Sequence, residues 1–207
     1  MADHLTTLTF AELEFVLRST DRAAEAAEAA ELEAVRRRLH FQPGVSTDIV
    51  AAAGAASLLA RGLCRLDGRR VVPGELVAGA ATALAAGDRG TEAAGWIGDR
   101  PVVVHLFTGD GARLAVYPGS YGLFGVELID PAEPLWVPVL RFLELCTGGT
   151  VLIRAAGRGI AVARGEDGVW FVSDAEDHLD RPEAAGRVSR ETLVARIVEL
   201  LAQPVGV

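Results

Sequence analysis

The chain has 207 residues, half of them apolar, and a net charge of −8; its basic side chains are arginines, with no lysine. The length suits one large domain or two small, tightly packed ones, no window approaches the roughly 18 consecutive apolar residues of a membrane span, and Met1–Thr9 lacks the basic and apolar regions of a signal peptide, so the reading is a cytosolic protein. An acidic chain repels phosphate backbones unless its basic residues cluster, which disfavours nucleic acid as a partner.

Thr9-x-x-Glu12 forms a capping box with Leu8 placed to staple onto Leu13, and Phe10, Leu13, Val16 and Leu17 share one face, predicting a helix over Phe10–Arg18. A second helix, about Arg22–Leu39, has a weak apolar face (Ala24, Ala27, Leu32, Val35, Leu39) and is expected to lie exposed against the body or near a partner. Its Arg36-Arg37-Arg38 is the one tight basic cluster. Glu25, Glu28, Glu31 and Glu33 precede it, an order that complements the helix dipole. After the break at Phe41–Gly44, Ser46, Thr47 and Asp48 are all able caps for a third helix ending near Ala60. Asp67-Gly68, between Leu66 and Val71, signals a hairpin. Pro73 stops its second strand, and Gly74–Ala86 reads as a fourth helix.

The period then changes. Glu92–Ile97, Val102–Phe107, Arg113–Tyr117 and Gly122–Ile129 are strand-like runs separated by short polar turns, the pattern of an antiparallel meander. Pro138 is too deep for a regular helix starting at Pro131, so the helix is placed over Val137–Cys146, ended by Gly148-Gly149. Three strands follow, Val151–Ala155, Gly159–Arg164 and Val169–Ser173, with a turn at Asp167-Gly168. Asp174–Arg187 reads as a polar acidic loop. Ser189 caps a last helix with Leu193, Ile197, Leu200 and Leu201 as its apolar stripe. Without βαβ alternation, the class is α+β: a central antiparallel sheet flanked by helices. The expected organisation is a single domain over 1–207 with degenerate halves 1–146 and 147–207, giving a pseudo-two-fold molecule.

Catalytic constellations are missing from the sequence. Gly119-Ser120-Tyr121-Gly122 lacks the glycine two residues before the serine that a nucleophile elbow needs, Pro118 standing there. No phosphate-binding glycine loop occurs. Glu176 and Asp177 lie in a polar loop, and His105, between Val104 and Leu106, reads as a sheet residue with a satisfied nitrogen. Cys64 and Cys146 are far apart and read as free buried thiols. The four histidines form no metal spacing, so no metal and no cofactor is expected. What remains is surface: Tyr117, Tyr121, Leu123, Phe124 and Trp136 gather around one strand turn. They read either as core packing or as an apolar patch for a protein partner.

Three stretches carry a family resemblance: LTFAELEFVLR (Leu8–Arg18), SLLARGLCRLDGRRVVPGELVAGAATAL (Ser57–Leu84) and the closing GRVSRETLVARIVELL (Gly186–Leu201), with the strands of Ala93–Ile129 between them. In this order the chain resembles the EspG family, cytosolic chaperones of type VII secretion in actinobacteria. The resemblance implies a quasi-two-fold sheet with flanking helices and a non-enzymatic role: binding the apolar helical tip of a secreted protein partner and keeping it soluble. The chain is shorter than the usual member, and no family interaction residue maps onto it by position. The competing reading is a winged-helix DNA-binding regulator over 46–82, with Gly68–Arg70 as the wing tip; a small enzyme is a third class. Against the second stand the net charge and an alanine-rich helix where base-reading groups would be needed.

Overall fold

The computed structural model describes residues 5–21, 26–41, 44–45, 47–85, 90–109, 111–165, 167–174 and 186–202. The side chains of Glu25, Glu28 and Glu31, Ser46 as a cap, and the stretch 175–185 with Glu176 and Asp177 lie outside the described residues.

Strand β1 (Thr6–Thr9) runs directly into helix α1 (Phe10–Asp21), followed by α2 (Ala26–Arg38) and α3 (Asp48–Ala60). A hairpin of β2 (Cys64–Asp67) and β3 (Arg70–Pro73) leads to α4 (Glu75–Ala85). Then come β4 (Thr91–Ile97), β5 (Arg100–Gly109), β6 (Ala112–Pro118) and β7 (Leu123–Ile129). After α5 (Trp136–Leu145) follow β8 (Gly148–Ala155), β9 (Arg158–Arg164), β10 (Trp170–Ser173), β11 (Gly186–Val188) and α6 (Arg190–Leu201). Among the described residues nine strands are hydrogen-bonded in the order β1-β7-β6-β5-β4-β8-β9-β10-β11, with β2-β3 apart. The class is α+β with a large antiparallel sheet and helices beside it, as the sequence indicates.

Some details differ from the expectation. The polar loop over Asp174–Arg187 ends one strand early, because Gly186 and Arg187 pair with Val172 and Phe171 of β10. A three-residue strand is too short to show an alternation of its own. Gly148-Gly149 does not end a helix. The chain already turns extended at Cys146, and Gly148 opens β8, with Gly149 at φ +64°.

Contacts gather into two compact units, Met1–Asp88 with Leu106–Pro131 and Arg89–His105 with Ala132–Val207. The first is organised by α1. Its capping box forms as the sequence demands: Thr9 N–H donates to Glu12 Oε2 at 2.8 Å and Glu12 N–H to Thr9 Oγ1 at 3.3 Å. Leu8 and Leu13, the two staple residues, are both fully buried in one cluster with Val16, Leu17, Leu58 and Leu84. Burying a leucine of this kind stabilises by about 1.5–3 kcal/mol. Glycine lets α3 come unusually near. A Cβ on Gly54 would stand 1.9 Å from the Ala11 carbonyl oxygen, so the two helices touch backbone to backbone. The second helix is less exposed than its composition suggests, for Leu32, Val35 and Leu39 all lie inside the cluster.

Two glutamates of α1 are fully buried, and each is matched. Glu12 accepts from Ser57 Oγ at 2.7 Å and from Arg61 Nη1 at 2.9 and 2.8 Å, while Arg61 Nη2 donates to the Thr7 carbonyl at 2.9 Å. Glu14 accepts from Arg18 at 2.8 Å and from Arg36 at 3.3 Å, and Arg18 also reaches Asp48. Burial pushes the Glu12 carboxyl up. The bonds from the Thr9 amide, Ser57 and Arg61, with the Arg61 charge, more than offset this and hold it below the ordinary carboxylate range.

The second unit pairs β4 with β8, β8 with β9 and β9 with β10, each antiparallel, with a bulge in β4 between Ala94 and Trp96. Val151 faces Val162 and Ile153 faces Ile160 across β8 and β9, and all four are buried. Ser189 caps α6 by accepting from Thr192 N–H at 3.2 Å, and Leu193, Ile197 and Leu200 are its buried stripe.

Two expectations follow from the α1 contacts. Gly54→Ala should lower stability by about 1–3 kcal/mol, because the backbone it meets cannot yield, whereas Gly79→Ala in α4 meets only the Leu128 methyls at 2.9 Å and should be near neutral. Thermal melts of both variants check this, and equal effects would refute the close-contact argument. Ionised Glu12 contributes stability above the unfolded carboxylate pKa of about 4.3, and that contribution is lost as the pH falls through its lower folded value. Glu12→Gln should therefore cost roughly 2–3 kcal/mol at pH 7, trimmed by solvent at the partly exposed Arg61, and should flatten the loss of stability below about pH 4.5. Denaturant melts across pH test it; an unchanged acid slope would show that Glu12 is not the titrating group.

Candidate partner-binding surface

The loop Gly119–Gly122 joins β6 to β7, and the period of two along β7 decides what it presents. Phe124 and Val126 point into the core, where Phe124 meets the Phe41 ring at 5.6 Å and Phe41 meets Phe10 at 4.5 Å. Phe124 is therefore 5% exposed and part of the core rather than of any surface. Leu123 and Gly125 take the opposite face. Tyr117 pairs with Gly125 across the ladder, as does Thr7 of β1. Leu5, just before β1, lies over the same glycine: a Cβ there would stand 3.2 Å from Leu5 Cδ1. Leu5 is 48% and Leu123 42% exposed, and Tyr117 is half-buried between them and the next strand.

Tyr121 stands at the tip with its side chain wholly in solvent. Gly119 N–H donates to the Leu123 carbonyl at 2.8 Å to close the loop, and this forces Tyr121 to φ +61°, ψ 28°, next to Gly122 at φ +69°. The left-handed region costs a residue with a Cβ about 1–2 kcal/mol, and Tyr121 recovers none of it through packing. Trp136, the fifth aromatic or aliphatic residue singled out in the sequence, belongs to the second unit. It opens α5 there and is half-buried. The structure thus puts Tyr117 and Leu123 on one outer face, leaves Tyr121 exposed at the loop tip and takes Phe124 inside. Leu5 is an addition that a four-residue strand without visible periodicity could not announce. In the second unit Trp96 and Ile97 are also exposed, at 44% and 42%, just past the β4 bulge that upsets their alternation.

Ser120 is an exposed turn residue. His105 is buried on its strand with Nδ1 3.5 Å from Glu92 Oε2. Burial pushes both thiols up: Cys64 is buried and free, Cys146 half-buried and free. Among the described residues no group of three or more His, Cys, Asp or Glu is placed to hold a metal, and no helix is long and apolar enough to cross a membrane. The basic cluster of α2 is mostly turned inward, with Arg36 on Glu14 and Arg38 over the Phe107 ring at 5.7 Å. The exposed positions of α3 are Asp48, Ile49, Ala52, Ala53, Ala56 and Ala60, which offer base edges only one carboxylate. In comparisons with known proteins, no family model matches the chain and no curated protein matches its sequence.

Because Tyr121 carries backbone strain without packing, Tyr121→Gly should leave stability unchanged or raise it by up to about 1 kcal/mol, the gain being offset in part by glycine's freedom in the unfolded chain. A melt showing clear destabilisation would mean that the ring is packed in solution.

Proposed function

We propose that this protein is a non-enzymatic cytoplasmic chaperone or adaptor, resembling the EspG chaperones of type VII secretion, that holds an apolar helical segment of a protein partner. The observation that carries this reading is Tyr121: an aromatic ring fully in solvent, on a strained backbone, in the loop that enters β7 at exposed Leu123. Strain kept without a packing return is characteristic of residues held for a partner. A tyrosine brings a large contact area with few rotamers to order, and the exposed Leu123 and Leu5 on the same outer face of β7 and β1 suit the apolar face of an amphipathic helix. The acidic surface elsewhere keeps such a protein apart from its own copies while it carries a sticky client. The order of elements, with a helix–hairpin–helix before an antiparallel meander and a closing helix, accords with the same resemblance.

The test is affinity capture from the source cell with the parent and with a Tyr121→Gly/Leu123→Ser variant, followed by reconstitution with the captured protein. A helical protein should co-purify with the parent, and its affinity should fall at least about tenfold in the variant at unchanged melting temperature, as loss of central anchors demands. Equal capture by both would remove the site. Turnover of a small molecule with no protein recovered would overturn the function.

A further inference from the structure

The β2–β3 hairpin is built differently from the rest of the surface. Its register, Arg65 with Val72, Leu66 with Val71 and Asp67 with Arg70, leaves Gly68 and Arg69 as the turn, Gly68 at φ +59°. Alternation sorts the ribbon into two faces. Arg65, Asp67 and Arg70 share one. Leu66 and Val71 share the other with buried Cys64, and Val71 packs on the core of the first unit. Every residue from Arg65 to Arg70 is exposed, and Leu66, at the outer end of the apolar face, is 61% exposed.

The charges of this ribbon are unmatched. Several arginines elsewhere find carboxylates: Arg18 has Glu14, Arg61 has Glu12, Arg190 has Glu144. Arg65, Arg69 and Arg70 take part in no ion pair or side-chain hydrogen bond among the described residues, and Asp67, opposite Arg70, makes none with it. Three guanidiniums against one carboxylate leave two net positive charges on six consecutive residues of a chain whose net charge is −8. Planar guanidiniums held on a short ribbon are suited to carboxylates through paired hydrogen bonds.

We propose that this hairpin is a docking ribbon for an acidic segment of a partner protein, with carboxylates on Arg65, Arg69 and Arg70 and an apolar side chain that reaches round the exposed turn to Leu66 on the opposite face. A nucleic acid fits less well. Duplex binders commonly neutralise about 6–10 phosphates, and the chain leaves the ribbon into exposed Glu75, at the start of α4, instead of continuing the positive track. The apolar end at Leu66 also suits a peptide side chain better than a phosphate backbone. This surface is separate from the Tyr121 patch, and the two readings stand or fall independently.

The test uses the full chain and a fluorescein-labelled peptide of about twelve residues made of Glu-Glu-Leu repeats, read by anisotropy at low salt. Its controls are the Gln-Gln-Leu counterpart and a duplex of about 20 base pairs. The acidic peptide should bind, and the uncharged one at least about tenfold more weakly. Affinity should fall at least about tenfold in Arg65→Glu/Arg69→Glu/Arg70→Glu, the loss that three exposed ion pairs would produce. Leu66→Ser should weaken it about threefold, the effect of one partly buried apolar contact. Should the reversed variant melt early, Arg65→Gln/Arg69→Gln/Arg70→Gln replaces it, with a loss of about threefold or more expected. Tyr121→Gly should leave peptide binding unchanged. No binding by the parent, equal binding by the arginine variants, or tighter binding of the duplex than of the peptide would each overturn the proposal.

Discussion

One buried carboxylate holds the first unit together. Glu12 is the third residue of α1, yet it is wholly inside and bonded to the Thr9 amide behind it, to Ser57 and Arg61 on α3 and, through Arg61, to the Thr7 carbonyl of β1. Strand, first helix and third helix are thereby fixed to a single group. A buried charge is costly unless every lone pair is used, and here the partners arrive from β1 and from the last turn and C-cap of α3. The backbone contact at Gly54 is the steric side of the same arrangement: α3 must come this near for Ser57, one turn on, to reach the carboxylate. Glu14, two residues further, does for α2 through Arg36 what Glu12 does for α3.

Much of this was legible in the chain. Thr9 and Glu12 announce their capping box, Thr47 and Ser189 their helices, and the turn-linked apolar runs their antiparallel strands. These are local signals, set by nearest neighbours. What stayed hidden depends on partners distant in sequence. Glu12 reads as an ordinary cap residue, and only Ser57 and Arg61, far along the chain, make it a buried hub. The strands β1 and β11, of four and three residues, exist because a neighbouring strand supplies their hydrogen bonds. The Asp67-Gly68 signal gave the hairpin but not its register, since the turn is Gly68-Arg69, one position later.

The aromatic group shows where composition alone stops. Five residues clustered in sequence read first as core, with a partner patch as the alternative. The two-residue period of β7 separates them by putting Phe124 against Phe41 and leaving Leu123 outside, and the loop closure that fixes Tyr121 at positive φ turns its ring to solvent. Charge shows the same contrast. A count of −8 describes an acidic protein, while the spatial record describes one in which many arginines are spent on its own carboxylates and those of the β2–β3 ribbon are not.

Arg61 has a second consequence through the Thr7 carbonyl. Strand β1 is a terminal strand of its sheet order, and a terminal strand invites another chain to continue the ladder. A guanidinium on the Thr7 oxygen occupies one of the acceptors such an intruder would need, on a strand only four residues long. The side chain that neutralises Glu12 is thus also a guard against strand-to-strand polymerisation. Loss of the carboxylate, by mutation or acid, would free that guard as it loosens the helices, so that misfolding and fibre formation would share a single origin.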